Sequence, residues 1–331
     1  MIHKRRIDSV AMKNSQRFNK NDKILIIGGT GFIGRHLMQR CLHDTSHITC
    51  IGYSQTTQMP SLRERVEIIN ADLRNKDEVG KILQNRHFEY VFNLSGYIDH
   101  SSFFLGGRSV VDVHYVGLMN ILESLDRSRL KKFVQVGSSD EYGGNRAPQH
   151  ESMRENPIAP YSVGKTAATH LIQMLSNTEE FPGVILRFFL VYGPEQDEKR
   201  FLPLIIKACI KDEIFKTSEG KQLRDFCYID DVVRALVMSA LTDTGIGEII
   251  NIASGIPVSI RHMVEMVMRL TGGGKPSWGV YPYRSGENME LYADITKAKS
   301  ILHWEPEIGL EQGLQKTIQY YASTVTQKEG M

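Results

Sequence analysis

A short apolar run followed by three spaced glycines constrains the fold of this chain more than any other feature. Residues 24–27 are four branched apolar residues, and Gly28, Gly31 and Gly34 follow before an amphipathic run begins. The apolar run predicts a strand that is buried on both faces. A strand, a glycine turn and a helix form the first unit of a dinucleotide-binding fold, in which free amides at the helix start face the pyrophosphate. This stretch therefore predicts a cofactor site.

The three glycines have separate roles in that prediction. Gly28 permits the sharp turn after the strand, and Gly34 lets the helix pack closely against it. Gly31 carries no Cβ, so the pyrophosphate can approach the backbone there. Any tight turn can use glycines, so the strand before them and the helix after them are what favour cofactor binding.

Strands and helices alternate along the first 190 residues. Further apolar runs predict strands at 48–54, 66–73, 90–96, 132–139 and 183–189. This alternation is typical of an α/β fold with a doubly wound parallel sheet, a Rossmann fold, with helices on both faces. Shorter elements and scattered prolines follow Tyr192, which indicates a smaller α/β carboxyl-terminal substrate domain.

The expected domain organisation has three parts. Residues 1–22 form a basic leader that is expected to be disordered, and 23–190 form the NAD(P)-binding Rossmann domain. Residues 191–331 form mainly the substrate-binding domain, and parts near 228–255 are expected to return to the Rossmann domain.

Composition excludes several classes of function. The 331 residues carry a net charge of +2 that is spread along the chain, so there is no global nucleic-acid footprint. No apolar run is long enough to cross a bilayer. The four cysteines lack metal-ligand spacing, so we expect no metal site and interpret them as reduced thiols of a cytoplasmic protein. They are Cys41, Cys50, Cys209 and Cys227.

The ends of the next strands predict the rest of the cofactor site. The second strand ends at Ser54, a neutral residue, where NAD-binding folds usually carry an acid for the adenosine ribose. Because that acid would repel a 2′-phosphate, its absence leaves NAD and NADP both open. In one interpretation, Asp72 and Leu73 flank the adenine. In the other, Asp72 caps the helix that follows. Small residues at 94–96 leave room for a ligand.

A serine, a tyrosine and a lysine carry the predicted chemistry. Ser138 ends the fifth strand, and Tyr161 lies four residues before Lys165, so both project from one helix face. A tyrosine that acts near neutral pH must titrate about 3 units below its free pKa, a shift worth roughly 4 kcal/mol. Lys165 and a positive nicotinamide ring would supply that stabilisation. Ser138 would bind the substrate oxygen while Tyr161 moves the proton that accompanies hydride transfer.

From Lys23 to about Tyr321, the chain resembles the extended short-chain dehydrogenases/reductases of the nucleotide-sugar epimerase and dehydratase type. The matching motifs are GGTGFIG at 28–34, Asp72-Leu73, NLSG at 93–96, Ser138, Tyr161, Lys165, YGP at 192–194, RDFCYIDDVV at 224–233 and NIASG at 251–255. The cofactor-binding residues are then expected to be Gly28, Thr30, Gly31, Phe32, Ile33, Gly34, Ser54, Asp72, Leu73, Leu94, Ser95, Gly96, Tyr161 and Lys165. The resemblance also implies a homodimer formed through the helices that begin near Ser109 and Tyr161.

The resemblance further implies a nucleoside-diphosphate sugar as substrate. Arg224 and Arg284 match positions at which such enzymes place phosphate-binding arginines, and guanidinium groups bind phosphate through paired hydrogen bonds. Arg200 and Phe201 resemble the part that covers the nucleotide base, and Ser139 is assigned to substrate binding. The alternative for Arg224 is an ion pair with a neighbouring acid.

The implied reaction is hydride transfer at C4 of the sugar, by a 4-epimerase or a 4,6-dehydratase. A 4-reductase or a 4-dehydrogenase is the alternative within the family. Dehydratases carry a glutamate two residues after the triad serine, and Asp140 stands at that position here. Asp140 is therefore a catalytic candidate. In the other interpretation, Asp140 and Glu141 are only turn and surface acids.

Two departures from the family pattern leave room for another function. Leu190 replaces an asparagine that contacts the substrate phosphate, and His114 replaces an asparagine that braces the active-site lysine through water. His114 either titrates and modulates the site or is a buried, satisfied histidine, and we expect the second. The hypothesis from another class is a catalytically silent NAD(P)-binding scaffold or sensor.

Overall fold

The apolar run at 24–27 forms an inner strand of a seven-stranded parallel sheet. The computed structural model describes residues 17–53, 62, 64–283 and 286–329. In spatial order the strands are β10 (Ile249–Ile252), β6 (Gly183–Phe188), β5 (Lys132–Ser138), β4 (Tyr90–Asn93), β1 (Ile24–Ile27), β2 (Ile48–Gly52) and β3 (Glu67–Asn70). The register places Ile24 beside Ile48 on one side and beside Tyr90 on the other.

Helices follow most of these strands. They are α1 (Phe32–Cys41), α2 (Lys76–Leu83), α3 (Gly107–Val111), α4 (Gly117–Ser124), α5 (Pro160–Thr178), α6 (Phe201–Ile210), α7 (Ile229–Leu241), α8 (Ile260–Thr271), α9 (Thr296–Ile301) and α10 (Leu310–Glu329). A π-helical turn, Asp112–Val116, joins α3 to α4. Short 3-10 helices span Phe103–Leu105 and Ser139–Tyr142.

Successive side chains of β1 enter the two cores on opposite faces of the sheet. Ile24 and Ile26 belong to the core that includes α1 and α7, whereas Leu25 and Ile27 belong to the core that includes α2, α4 and α5. All four are fully buried, as expected for a parallel strand covered on both faces. The predicted doubly wound Rossmann fold is therefore confirmed.

The chain after residue 189 adds two smaller groups of strands. They are β7 (Leu190–Tyr192), β8 (Ile214–Lys216), β9 (Leu223–Tyr228), β11 (Pro257–Ser259), β12 (Lys275–Ser277) and β13 (Glu290–Leu291). Strand β9 pairs with β7, β11 and β13, and β8 pairs with β12. Val264 and Trp304 in this part share one apolar core with Ile24 and Ile26, so packing fixes the two parts against each other.

The end of the expected leader packs against the large sheet. Phe18 is only 4% exposed and meets the ring of Tyr90 edge to face, with 4.9 Å between ring centroids. Asp22 is buried and forms an ion pair with Lys131 at 2.9 Å. The prediction that the leader extends to residue 22 is therefore wrong for residues 17–22, because an apolar ring and a paired acid bury there. Residues 1–16 lie outside the described part.

No helix among the described residues is long and apolar enough to cross a membrane.

Gly34 gives a direct test of the close packing between α1 and the turn after β1. A Cβ at Gly34 would lie 2.4 Å from the Gly29 Cα, so Gly34→Ala should lower the free energy of unfolding by about 1–3 kcal/mol. Gly80→Ala is the matched control within a helix, because a Cβ there meets only the Ser124 hydroxyl at 3.8 Å. Higher helix propensity should make that control more stable by up to about 1 kcal/mol. Urea unfolding measures both, and equal stability of Gly34→Ala and wild type would contradict the packing argument.

Candidate active site

The carboxyl ends of the sheet strands open into a cleft of about 1240 Å³. Of the residues predicted from sequence, those that line it are Gly28, Thr30, Gly31, Phe32, Ile33, Gly34, Asp72, Leu73, Leu94, Ser95, Gly96, Ser138, Ser139, Asp140, Tyr161, Lys165, Arg200 and Phe201. Arg224 is not among the described lining residues. Ser54 and Arg284 lie outside the described part of the chain.

The glycine turn after β1 forms one wall of the cleft. Gly28 has φ of +78°, and a Cβ there would lie 2.7 Å from the Leu94 backbone, so only glycine fits without strain. The Gly28 amide donates to the Ile51 carbonyl at 2.7 Å, which ties the turn to β2. Helix α1 begins directly after Gly31. The free amides of its first turn therefore lie at the cleft, where an anionic group can accept from them.

Ser138, Tyr161 and Lys165 come together on the opposite wall. Tyr161 is the second residue of α5, which begins at Pro160, and its phenol lies near enough to Ser138 for the serine side chain to lower its pKa. Lys165 lies one turn later and donates from Nζ to the Val136 carbonyl at 2.9 Å. Because Val136 and Ser138 belong to the same strand, this bond fixes α5 against the strand that carries the serine.

Burial controls the electrostatics of this trio. Burial raises the pKa of Tyr161, and hydrogen bonding to Ser138 and the Arg200 guanidinium act against that rise. The carboxylates of Asp140 and Glu141 reinforce it. Burial also lowers the pKa of Lys165 to about 8, and Glu141 acts against that fall. The phenol is therefore protonated at neutral pH in this structure.

The two consecutive acids after Ser139 point to different places. Asp140 lines the cleft, and its amide donates to the Ser138 hydroxyl at 3.2 Å. Glu141 is fully buried in the core, where one carboxylate oxygen accepts from the Ser138 amide at 2.8 Å. The interpretation of Glu141 as a surface acid is therefore wrong. A buried partner, Arg187, holds the other carboxylate oxygen at 2.8 Å.

His114 projects from the π-helical turn into the space between Tyr161 and the loop after β4. Its Nε2–H donates to the Tyr97 carbonyl at 3.1 Å, and its ring meets that of Tyr161 edge to face at 5.1 Å. Burial, together with the charge of Lys165, lowers the pKa of His114 to about 3. His114 is thus a neutral, buried and satisfied histidine.

Arg74 is a cleft residue that sequence reasoning missed. It forms a two-oxygen ion pair with Asp72, donates to the Ser109 hydroxyl at 2.8 Å and lines the cleft. Its guanidinium lowers the pKa of Asp72. The short spacing between Asp72 and Arg74 was the available signal, since it lets one loop form this pair. The backbone carbonyl of Leu73 is fixed from the other side by the Asn120 amide at 2.8 Å.

Arg224 lies in β9, where its guanidinium pairs with Glu287 and donates to its neighbour's carbonyl, that of Leu223, at 2.8 Å. In this structure Arg224 therefore forms an ion pair, which is the alternative to phosphate binding. Its acidic partner is distant in the sequence rather than adjacent.

Comparison with known proteins places this geometry in a family. The model of the NAD dependent epimerase/dehydratase family matches residues 24–253. The chain belongs to this family. A putative UDP-glucose 4-epimerase of Methanocaldococcus jannaschii is 29% identical over 90% of this chain and 97% of that protein. A UDP-glucuronate 4-epimerase of Thermodesulfobacterium geofontis is 28% identical over 89% and 95%, respectively.

A solved structure agrees with the family assignment. The UDP-glucuronic acid 4-epimerase of Bacillus cereus, in complex with UDP-glucuronic acid and NAD, is 29% identical and superposes with a TM-score of 0.82 over 91% of this chain and 99% of that chain. The resemblance to epimerases and dehydratases inferred from the motifs is therefore confirmed.

The neutral state of His114 in this epimerase/dehydratase family member predicts a pH dependence of stability. Because folding lowers the His114 pKa from 6.5 to about 3, the unfolded chain binds more protons between those values. Stability should therefore fall as pH drops below 6.5, by about 2 kcal/mol between pH 7 and pH 5. His114→Asn should remove this part of the loss, as measured by urea unfolding at both pH values.

His262→Asn is the control for that comparison, because His262 is an exposed histidine of α8. Between pH 7 and pH 5, this variant should lose as much stability as wild type does. The same loss in wild type and His114→Asn would show that His114 accepts its proton within the folded protein.

Proposed function

We propose that this protein is an NAD(P)-dependent enzyme that transfers a hydride at C4 of a nucleoside-diphosphate sugar, as a 4-epimerase or a 4,6-dehydratase. The observation that carries the proposal is the meeting of Ser138, Tyr161 and Lys165 across one cleft from the glycine turn. The epimerases among its relatives support the 4-epimerase form. A 4-reductase or 4-dehydrogenase remains the alternative that uses the same residues.

The residues of the cleft fit a nicotinamide dinucleotide. The turn at 28–34 and the first amides of α1 would hold the pyrophosphate, and Asp72 and Leu73 would flank the adenine. Tyr161 and Lys165 would hold the nicotinamide ribose. When bound, the cofactor supplies a hydride acceptor for the C4 hydrogen and a donor for its return.

The chain's own residues handle the proton of the reaction. Ser138 would orient the C4 oxygen by a hydrogen bond, and the Tyr161 phenol oxygen would accept or return the proton on that oxygen. The guanidinium of Arg200 favours the phenolate, whereas burial opposes it. The ammonium of Lys165 would favour the phenolate as well, because opposite charges attract. The proton transfer therefore depends on whether positive charge near the phenol outweighs burial.

Substrate binding is proposed for Ser139, Arg200 and Phe201. Arg200 directly precedes α6 and lines the cleft, where its guanidinium can pair with a diphosphate. Arg224 would join it only if its pair with Glu287 opens. The same role for Arg284 rests on the family resemblance alone.

Asp140 is the candidate base for dehydration. It lines the cleft beside Ser138, whereas Glu141 is committed to the core and cannot reach a sugar. If the enzyme is a 4,6-dehydratase, Asp140 would therefore remove the C5 proton.

Tyr161→Phe tests the proposed function. Removal of the phenol oxygen should lower kcat by about 10²- to 10⁴-fold without unfolding the protein, because general acid–base catalysis contributes that much. The assay would supply GDP-, UDP-, CDP- and dTDP-sugars and record both the sugar products and the redox state of the cofactor. Tyr281→Phe is the control, because Tyr281 is 56% exposed and does not line the cleft.

Unchanged turnover in Tyr161→Phe would contradict the catalytic assignment. No turnover of any sugar by wild type, together with tight NAD(P) binding, would support the silent scaffold instead. Conversion at C4 with unchanged C6 would favour the epimerase over the dehydratase.

We also propose a homodimer formed through the face that α3, α4 and α5 share. Val163 and Met174 lie three turns apart on α5 and are each 45% exposed, so they present apolar surface along one side of the helix. Tyr115 and Met119 on the adjacent helix are partly exposed and apolar as well. A second copy of this chain would cover them.

The double substitution of arginine for Val163 and Met174 tests the dimer by equilibrium sedimentation. Wild type should sediment as a dimer and the double variant as a monomer, because each arginine would place an unpaired charge in the interface. Leu204→Arg, at a 53% exposed position of α6, should remain dimeric. A monomeric wild type would contradict the proposal.

A cytoplasmic location is proposed on the state of the cysteines. All four are free thiols and buried, as expected in a reducing compartment.

A further inference from the structure

Glu141 is a buried carboxylate beside the catalytic trio, yet the proposed chemistry does not use it. One of its oxygens accepts from the Ser138 amide at 2.8 Å. The other accepts from the Thr169 hydroxyl and from the Arg187 Nε, both at 2.9 Å. These partners come from β5, α5 and β6, so a single carboxylate connects the serine strand with the helix that carries Tyr161 and Lys165.

Glu141 has a buried cationic partner. Arg187 is fully buried, forms ion pairs with Glu141 and Glu155, and lies over the ring of Tyr142 at 4.7 Å. Its nearby carboxylates raise the pKa of Arg187 against the effect of burial, so it stays positive. The desolvation of a buried ion pair can exceed its Coulombic gain, so stability alone is a weak explanation for this one.

The groups that face Lys165 show what the carboxylate can do. The strand β5 presents the Val136 carbonyl to Lys165, and the π-helical turn presents the neutral ring of His114, which also contacts the Tyr161 ring. Glu141 is the group among these that carries a full negative charge, and its field acts on Lys165 and Tyr161 alike.

We propose that Glu141 is a positioning residue for the Ser138–Tyr161–Lys165 trio: it fixes the Ser138 backbone against the helix that carries Tyr161 and Lys165, and it places a buried carboxylate between that strand and that helix. This inference rests on the proposed function for its catalytic meaning. The structural part, the action of Glu141 on Lys165, can be measured without turnover.

Glu141→Gln is the central variant, because it keeps the shape of the side chain and removes its charge. In protein labelled with carbon-13 lysine, the Lys165 signal, assigned by its loss in Lys165→Arg, should titrate near pH 8 in wild type. In Glu141→Gln it should titrate about one pH unit lower. An unchanged titration would overturn the proposal, whatever sugar the enzyme uses.

Steady-state kinetics on a sugar that wild type converts add the catalytic readout. The pH profile of kcat/KM should move to lower pH in Glu141→Gln, because both Lys165 and Tyr161 lose the field that raises their pKa values. Glu141→Asp keeps the charge but shortens the reach to the Ser138 amide. It should leave the pH profile in place and lower kcat about tenfold through misplacement of Ser138.

Glu155→Gln is the matched control from the same cluster. Glu155 also pairs with Arg187, but among its described contacts are neither Ser138 nor Lys165. It should lower stability without moving the Lys165 titration. The same shift in Glu155→Gln would overturn the proposal, since it would assign the effect to the loss of the whole cluster.

A variant with both charges removed covers the case in which Glu141→Gln fails to fold. Glu141→Gln combined with Arg187→Met leaves neither charge of the pair unmatched, and such replacements are often tolerated. It should lower the Lys165 titration in the same direction but by less, because loss of the Arg187 charge partly offsets loss of the Glu141 charge. A Lys165 titration equal to that of wild type in this double variant would contradict the role of Glu141. If wild type converts no sugar but the Lys165 titration still shifts in Glu141→Gln, the proposed function is rejected and the action of Glu141 on Lys165 stands.

Discussion

Burial of the Lys165 ammonium is the constraint on which the rest of the active site depends. A desolvated cation is costly, and the structure offsets the cost with the Val136 carbonyl and the carboxylate of Glu141. The same burial, together with the positive charge of Lys165, keeps His114 neutral. Burial is therefore the largest influence on the pKa values of Lys165, His114 and Tyr161, and the charged groups nearby act for or against it.

Close backbone packing is what makes this arrangement of polar groups possible. A Cβ at Gly164 would lie 3.1 Å from the His114 Cβ and 3.3 Å from the Val111 Cα, so glycine lets α5 approach the adjacent helix. Gly96 has φ of +105°, and a Cβ there would lie 1.9 Å from the His114 ring. The π-helical turn places that ring in the space these two glycines leave. The site thus depends on glycines outside the cofactor turn as much as on those within it.

Local patterns predicted most of the fold and the centre of the site. Four branched apolar residues and three glycines specify a strand, a turn and a helix, because burial and backbone geometry act over a few residues. The i,i+4 spacing of Tyr161 and Lys165 likewise fixes their common face once the helix forms. The carboxyl ends of parallel strands then bring Ser138 to the same cleft without further information.

Pairings between residues distant in sequence could not be predicted in this way. Glu141 turns inward because Arg187, 46 residues away, is buried beneath it, whereas Asp140 next to it lines the cleft. Arg224 pairs with Glu287, 63 residues away, and no motif records that choice. The basic surroundings of Phe18 indicate a leader, but its ring is buried against Tyr90 and Phe92 of the central strand β4. In each case the partner appears only when the chain is folded.

The balance of charges around Tyr161 links these distant pairings to function. Burial, Asp140 and Glu141 raise the phenol pKa, whereas Ser138 and Arg200 lower it. A diphosphate that pairs with Arg200 would cancel one of the two influences that lower the phenol pKa, so that this pKa would rise further. A cation that enters the cleft would lower the phenol pKa. The fold therefore holds the phenol protonated by default and leaves the direction of proton transfer to the charge of what binds. In the proposed reaction, positive charge that enters the cleft would therefore favour the phenolate form of Tyr161.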